Sequence, residues 1–401
     1  MSTVSPLLIA PWSVDAEDLI RGALRHVYSV KIYEQATPNT LLPITVTGCT
    51  LTYDELWAPY VQGELTAVIP DAATLAKLDP RGIVRVDVYA GYVLPGGATD
   101  SHLMARCLLS KRDAVYPGDV MTLEFQGPEY IVQGRVSRHL GDGPMAIGGE
   151  WNSTTLVRDA MQNVYNSTRL ANVLPWVTID YDLDGVGDDT GWVDPGSLWG
   201  PSVGANHLDV LRDVADRVDA WFRIDELGVY RISRRRWGEP SPSHRMRIGA
   251  DGTIITSADT LARDGWANVL QIRYEWTVTT EVDGVATETP KSAGALIETR
   301  GAFDAEVVGM VHVLVTRQHM VSSYTQARNA GMALLNRYST QANALTISGV
   351  AAYWLRPEKG ISVQLPVGAE QTLVVSAITF DLDAGRMDIR TRSPVPEPAK
   401  P

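Results

Sequence analysis

From His26 onward, apolar and polar positions alternate in short runs broken by turn residues. Tyr28, Val30, Ile32 and Tyr33 mark one candidate strand, Ile44 to Tyr53 a second and Val61 to Ile69 a third. In Val84 to Leu94 the period is two. Val84, Val86, Val88 and Ala90 face inward and Arg85, Asp87 and Tyr89 outward, which predicts a half-buried strand. His102 to Ser110, Val120 to Phe125 and Tyr130 to Val136 complete seven strands. The turns between them are Asp79-Pro80-Arg81-Gly82, Pro95-Gly96-Gly97 and Tyr116-Pro117-Gly118-Asp119. So many short strands in so little chain predict a closed sandwich or barrel.

Gly141-Asp142-Gly143-Pro144 breaks the pattern. Leu156, Val157, Ala160, Met161, Val164 and Tyr165 then recur at helical spacing, with Ser153 or Thr154 placed to cap. Leu208, Leu211, Val214, Ala215 and Val218 form a second helical stripe. A hairpin follows, Ala220 to Ile224 into Val229 to Ile232, turning at Asp225-Glu226-Leu227-Gly228. Trp237 to Ser243 has the composition of a linker. Strands resume at Ala267 to Val278, which turns at Val282-Asp283-Gly284-Val285, and Val307 to Arg317 is apolar enough for a central position. A helix spans Thr325 to Tyr338, and four strands close the pattern: Ala344 to Val350, Ile361 to Leu365, Thr372 to Leu382 and Arg386 to Arg392. The expected architecture is mainly β, two β-barrel domains flanking a small α+β domain. Residues 1–25 are an arm or helix, 26–140 the first barrel, 141–240 the α+β insert, 241–392 the second barrel with one helix, and 393–401 a loose Pro-rich tail.

Charge narrows the function classes. The 401 residues carry 35 Lys plus Arg against 47 Asp plus Glu, a net charge of −12. That argues against wrapping a nucleic-acid backbone, which needs a basic stripe. No apolar run reaches the length of a membrane-spanning helix, and Met1 to Trp12 lacks the basic region of a signal peptide. Two cysteines, Cys49 and Cys107, lie in strand-like contexts and read as buried small apolar residues, made in a reducing cytoplasm.

Candidate chemistry is sparse. Asp180, Asp182, Asp184, Gly185 and Asp188 match positions 1, 3, 5, 6 and 9 of a calcium loop. Position 12 is Gly191 rather than a bidentate Glu, and the flanks are not helical. The stretch is therefore not an EF-hand; an open Asp-rich calcium turn and a solvated acidic loop are the two readings. The seven histidines form no HExxH, and the chain has no G-x-S-x-G, P-loop or G-x-G-x-x-G. No catalytic set emerges, and the chain reads as a non-enzyme. Arg231, Arg234, Arg235 and Arg236 are the dense basic cluster, better suited to a subunit interface or a solvated face than to nucleic acid. Eleven tryptophans outnumber four phenylalanines. Trp176, Trp192 and Trp199, in a loop-rich stretch, are the candidates for partner contact.

Three stretches taken together resemble phage tail hub proteins. The first runs from Asn206-His207-Leu208-Asp209-Val210-Leu211-Arg212-Asp213-Val214-Ala215 into the Ala220 to Ile232 hairpin with its Asp225-x-x-Gly228 turn. The second is the Ala327 to Tyr338 helix. The third is Ala344 to Val350 followed by Leu355-Arg356-Pro357-Glu358-Lys359-Gly360-Ile361-Ser362-Val363, with the Val374 to Phe380 and Gly385 to Thr391 hairpin behind it. Lys359-Gly360 stands where the family more commonly has Gly-Asp. The resemblance covers most of 150–395 and is nearest to minor tail proteins of siphophages infecting actinobacteria.

The resemblance implies a homotrimer at the virion tail tip, synthesised in the bacterial host cytoplasm. Two similar barrels per subunit would alternate around the axis, so that three chains meet a sixfold tail ring. Its implied partners are the distal tail protein, the tape measure protein and the tip or receptor-binding proteins. DNA would pass through the lumen during ejection without specific binding, and no cofactor is implied beyond the calcium that the Asp180 to Asp188 loop suggests by its own residues. The alternatives are a cell-wall-degrading or carbohydrate-binding tail protein and a hexameric distal tail protein.

Overall fold

The structure of the chain, a computed structural model, describes residues 12, 20, 24–34, 40–57, 59–133, 174, 177–180, 208, 220–234, 240–249, 252–261, 266–282, 285–298, 305–309, 312–318, 331–332, 334–336, 338–339 and 343–394. The expected arm and tail, and the helix over 154–165, lie almost wholly outside these residues. Of the 325–338 helix, the described positions are helical and Leu335 is buried.

The first β block holds six strands: β1 (Arg25–Tyr33), β2 (Val46–Asp54), β3 (Val61–Val68), β4 (Arg85–Val93), β5 (Thr99–Ala114) and β6 (Val120–Gln126). Helices α1 (Ala72–Lys77) and α2 (Glu129–Gln133) are short. The strands sit where alternation places them, with one correction. The expected strand from Tyr130 is α2 instead. Pro128 cannot donate to a ladder, and the Tyr130 and Ile131 amides close turns on the Gly127 and Pro128 carbonyls.

A second correction concerns β4. Its expected solvent face is buried, with Arg85 and Asp87 both inside. β4 lies between β1 and β5, so two neighbours cover its edges. The charges are kept by pairing: Asp87 Oδ1 lies 3.3 Å from the Nε of both Arg85 and Arg106. The Arg85 guanidinium also stands 4.0 Å from the Tyr33 ring centroid.

The insert contributes β7 (Thr178–Asp180), β8 (Ala220–Ile224) and β9 (Val229–Arg234), in spatial order β7-β9-β8. Next come β10 (Pro242–Arg247), β11 (Ile254–Leu261), the long hairpin β12 (Val269–Val282) and β13 (Val285–Glu298), α3 (Ala305–Val308), and β14 (His312–Gln318). β15 (Asn343–Val350), β16 (Gly360–Gln364), β17 (Gln371–Asp381) and β18 (Arg386–Arg392) close the described chain. The expected linker therefore already contains a strand. Pro242 is its first residue, where a missing amide costs no ladder bond. The 307–317 stretch is not a central strand. It divides into α3 and β14 at Gly309, whose φ is +80°, and β14 is an edge of the three-stranded sheet β13-β12-β14.

The two β blocks are joined. Their strands form one twelve-stranded sheet in the order β1-β4-β5-β6-β3-β2-β17-β18-β15-β11, with β16 on β17 and β10 parallel to β16. Among the described residues neither set of six closes into a barrel. The sheet forks on β17. Val374 and the residues before it pair with β16, while Ala377–Asp381 pair with β2. A register shift between Val375 and Ala377 marks the fork.

A single core spans both blocks. Leu51, Leu65, Phe125, Ile347, Ile378 and Phe380 all belong to it. Tyr92 on β4 crosses the seam: its hydroxyl donates to the Ala351 carbonyl at 2.7 Å and accepts from the Tyr353 amide at 3.0 Å. Both groups lose their partner if only the hydroxyl is removed. Tyr92→Phe is expected to cost about 2 kcal/mol, read as a lower urea midpoint with an unchanged slope. An unchanged midpoint would mean that the seam does not depend on this oxygen.

Candidate functional site

Three segments distant in sequence meet at one buried ionic junction. The hairpin turn of the insert starts it. Asp225 Oδ1 accepts from the amides of Leu227 (3.0 Å) and Val229 (2.8 Å), an Asx turn, and Gly228 takes φ +83°. Arg231 Nε donates to Asp225 Oδ2 at 2.6 Å. The turn presents Glu226 to Arg356, in the loop between β15 and β16, with Nε to Oε1 at 3.0 Å.

Arg356 ties in the other two blocks. Its Nη1 donates to the carbonyls of Tyr353 (2.8 Å) and Leu355 (2.7 Å), and its guanidinium lies 4.5 Å from the Tyr53 ring centroid on β2. Arg223 on β8 stands 5.2 Å from the Tyr60 centroid and 3.9 Å from the Glu358 carboxylate. Glu358 is a non-glycine residue at φ +69°, a conformation this loop holds against an intrinsic cost. From α2, the Glu129 Oε1 accepts the Ile224 amide at 2.7 Å.

The electrostatics follow from burial. Glu129 is 1% exposed, and burial pushes its carboxyl up to about 7 against the pull of the Ile224 amide. Burial and the neighbouring Glu226 push Asp225 up. Burial also opposes ionisation of Glu226, but Arg356, its own amide and Arg223 outweigh it and hold Glu226 below the usual range. Burial pushes the Tyr53 and Tyr60 phenols up, so both stay neutral. Two further ion pairs stand by the β17 fork: Arg390 to Asp54 at 2.8 Å and Arg392 to Glu55 at 3.0 Å. This arrangement holds segments together. Cys49 and Cys107 are free and buried, and burial pushes both thiols up, away from reactivity.

Of the residues expected to carry function, Asp182, Asp184, Asp188, Trp176, Trp192 and Trp199 lie outside the described residues. Asp180 ends β7, whose main chain is described. Among the described residues, no group of three His, Cys, Asp or Glu is arranged to hold a metal ion, and no helix is long and apolar enough to cross a membrane. His26 bonds the Tyr353 hydroxyl (3.2 Å) and His102 the Asp100 carboxylate (2.6 Å), while the Trp12 ring lies tilted by 44° against the His102 ring, with centroids 4.1 Å apart.

Sequence reasoning missed the junction residues Glu129, Glu226 and Arg356 as a group. The Asp225 to Gly228 turn and the Arg356 to Gly360 stretch were visible as local motifs; Glu129 carried no signal. It also passed over exposed apolar positions: Leu56 and Trp57 in the β2–β3 loop, with Trp57 47% exposed, and Val68, Val115, Tyr116 and Val120 around one end of β3 and β6.

No family model matches the chain, and no curated protein matches its sequence. Solved structures do match its fold. The tail protein of Neisseria meningitidis MC58 superposes with a TM-score of 0.59 at 11% identity, over 91% of this chain and 96% of that one. The 43 kDa tail protein of prophage MuSo2 from Shewanella oneidensis gives 0.60 at 11% identity, over 92% and 99%. The prophage tail protein gp18 of Listeria monocytogenes gives 0.54 at 10% identity, over 90% and 94%. The chain thus has a phage tail protein fold over nearly its whole length.

Proposed function

We propose that this chain is a structural hub protein at the tail tip of a long-tailed bacteriophage. It acts as a non-enzymatic trimer that adapts a sixfold tail to a threefold tip and surrounds the DNA and tape-measure channel. The observation that carries the reading is the fold match across nine-tenths of both partners to phage tail proteins. The forked sheet is compatible with it, because each end of the chain contributes six of its twelve strands. The charge supports it as well. Three chains carry three times −12, and an acidic lumen repels phosphates and keeps DNA from sticking in passage.

The junction explains how one chain keeps two β modules and an insert in fixed relation, which a symmetric ring requires. Native mass spectrometry of the purified protein tests the reading. A species of three chains is expected. A stable hexamer would instead favour a distal tail ring protein, and a monomer at all concentrations would remove self-assembly from the proposal.

A further inference from the structure

The insert meets the rest of the molecule without a shared ladder. Among the described residues β7, β9 and β8 form a sheet of their own, and none of them pairs with a strand of the twelve-stranded sheet. Its buried apolar residues, Leu174, Val177, Leu208, Ile224, Val229 and Tyr230, stand apart from the core that spans the two β blocks. Side chains tie it down instead: Glu129 on the Ile224 amide, Glu226 on Arg356, and Arg223 on Glu358 and the Tyr60 ring. An element held in this way can leave without breaking a ladder bond of the large sheet, as local opening units do.

One of these ties carries a carboxyl that is costly to ionise. Glu129 Oε1 accepts the Ile224 amide at 2.7 Å. Its Oε2 packs against Gly127, where an added Cβ would lie 2.5 Å away, and is buried with no hydrogen-bond partner. A buried carboxylate with one oxygen unsatisfied costs far more than a neutral carboxyl in the same place. The neighbours that act on it or feel its charge are Asp225 of the turn, the Tyr60 amide before β3 and the Cys107 thiol of β5, and none is a cation. Across the whole junction the described residues supply four acids, Glu129, Asp225, Glu226 and Glu358, and three arginines, Arg223, Arg231 and Arg356. With every acid ionised, one negative charge has no counterpart. A proton on Glu129 restores the balance, in keeping with the rise that burial imposes on its carboxyl.

We infer that a proton on Glu129 latches the insert to the β blocks, and that losing it lets β8–β9 open from α2 and from the β15–β16 loop while the twelve-stranded sheet stays folded. The ionised carboxyl regains water in the open form, so rising pH favours opening. The inference concerns the insert alone and does not rest on the trimer proposed above. The fixed relation of insert and sheet holds most firmly while Glu129 keeps its proton.

Native-state hydrogen exchange of the full chain in low urea tests this, read from peptides of β8–β9 and of β2–β3 and corrected for the intrinsic rise of exchange with pH. At pH 8 the β8–β9 amides should exchange through an opening whose urea dependence is smaller than that of β2–β3, because less surface is exposed. The equilibrium constant of that opening should rise roughly fiftyfold between pH 5 and 8, most of it below about 7. Glu226, held below the usual range, stays ionised over this window. Glu129→Gln keeps an acceptor for the Ile224 amide and should remove most of the rise, Asp225 supplying the remainder. One common urea dependence for β8–β9 and β2–β3 would overturn the inference, since the insert would then leave only when the whole chain unfolds. So would a parent opening that pH does not change, or a variant that keeps the parent's full pH dependence. Should Glu129→Gln fail to fold, the parent's urea slopes and pH dependence decide the question by themselves.

Discussion

Replacing Arg356 with methionine is expected to remove about 3–5 kcal/mol of folding stability, the usual cost of leaving one member of a buried ion pair without its partner. The size follows from what the guanidinium holds. It pairs Glu226 of the insert, two carbonyls of its own loop and the Tyr53 ring of β2, and both Arg356 and Glu226 side chains are 15% exposed. Methionine fills much of the volume but leaves Glu226 charged and buried. Glu226→Gln in the same background should recover part of the loss, because a neutral amide costs less to bury than a carboxylate. Urea unfolding of the four members of this double-mutant cycle reads the coupling. Strictly additive losses would show that the pair does not join the insert to the sheet.

The second large effect is a dependence of stability on pH set by Glu129. In an unfolded chain its carboxyl titrates near 4.5; in the folded protein burial holds the proton until about 7. Between these values the native state keeps a proton that the unfolded state has released, so rising pH favours unfolding. The stabilisation is complete below about 4.5 and is lost as pH rises through about 7, an effect of about 3 kcal/mol by pH 8. Asp225, also pushed up, acts in the same direction. Glu226, held low by Arg356, acts in the opposite one: its contribution is present at neutral pH and lost on acidification. Glu129→Gln keeps an oxygen to accept the Ile224 amide and removes the titration. The variant should be more stable than the parent at pH 8 and show a flatter profile between pH 5 and 8, measured by urea midpoints. An identical slope in parent and variant would mean that Glu129 is not the titrating group.

The junction and the pH effect share an origin that separates legible from illegible features. The Asp225-Glu226-Leu227-Gly228 turn was readable because it is local: an Asx acceptor and a glycine at positive φ are needed within four residues. The β8–β9 hairpin followed from it. That Glu226 meets Arg356, 130 residues later, was not readable. Nor was the burial of Glu129, whose segment reads as a strand from its apolar run Tyr130, Ile131 and Val132 but folds as a short helix behind Pro128. Arg85 and Asp87 show the same limit from the other side. Alternation placed them opposite the core residues, which is correct for one strand, but it could not show that paired charges and neighbouring strands would enclose that face.

The sequence by itself determined most of the strands, their hairpin turns and the mainly β character. Backbone alternation and turn chemistry act over a few residues and need no distant partner. Only the tertiary structure decided that the first and last β blocks share one sheet, forked on β17 where Ala377–Asp381 meets β2. It alone decided which acids are buried. Strand pairing across more than three hundred residues depends on which unsatisfied edges and apolar faces meet in space, and the state of a carboxyl depends on the groups packed around it. Neither is written in the period of the chain.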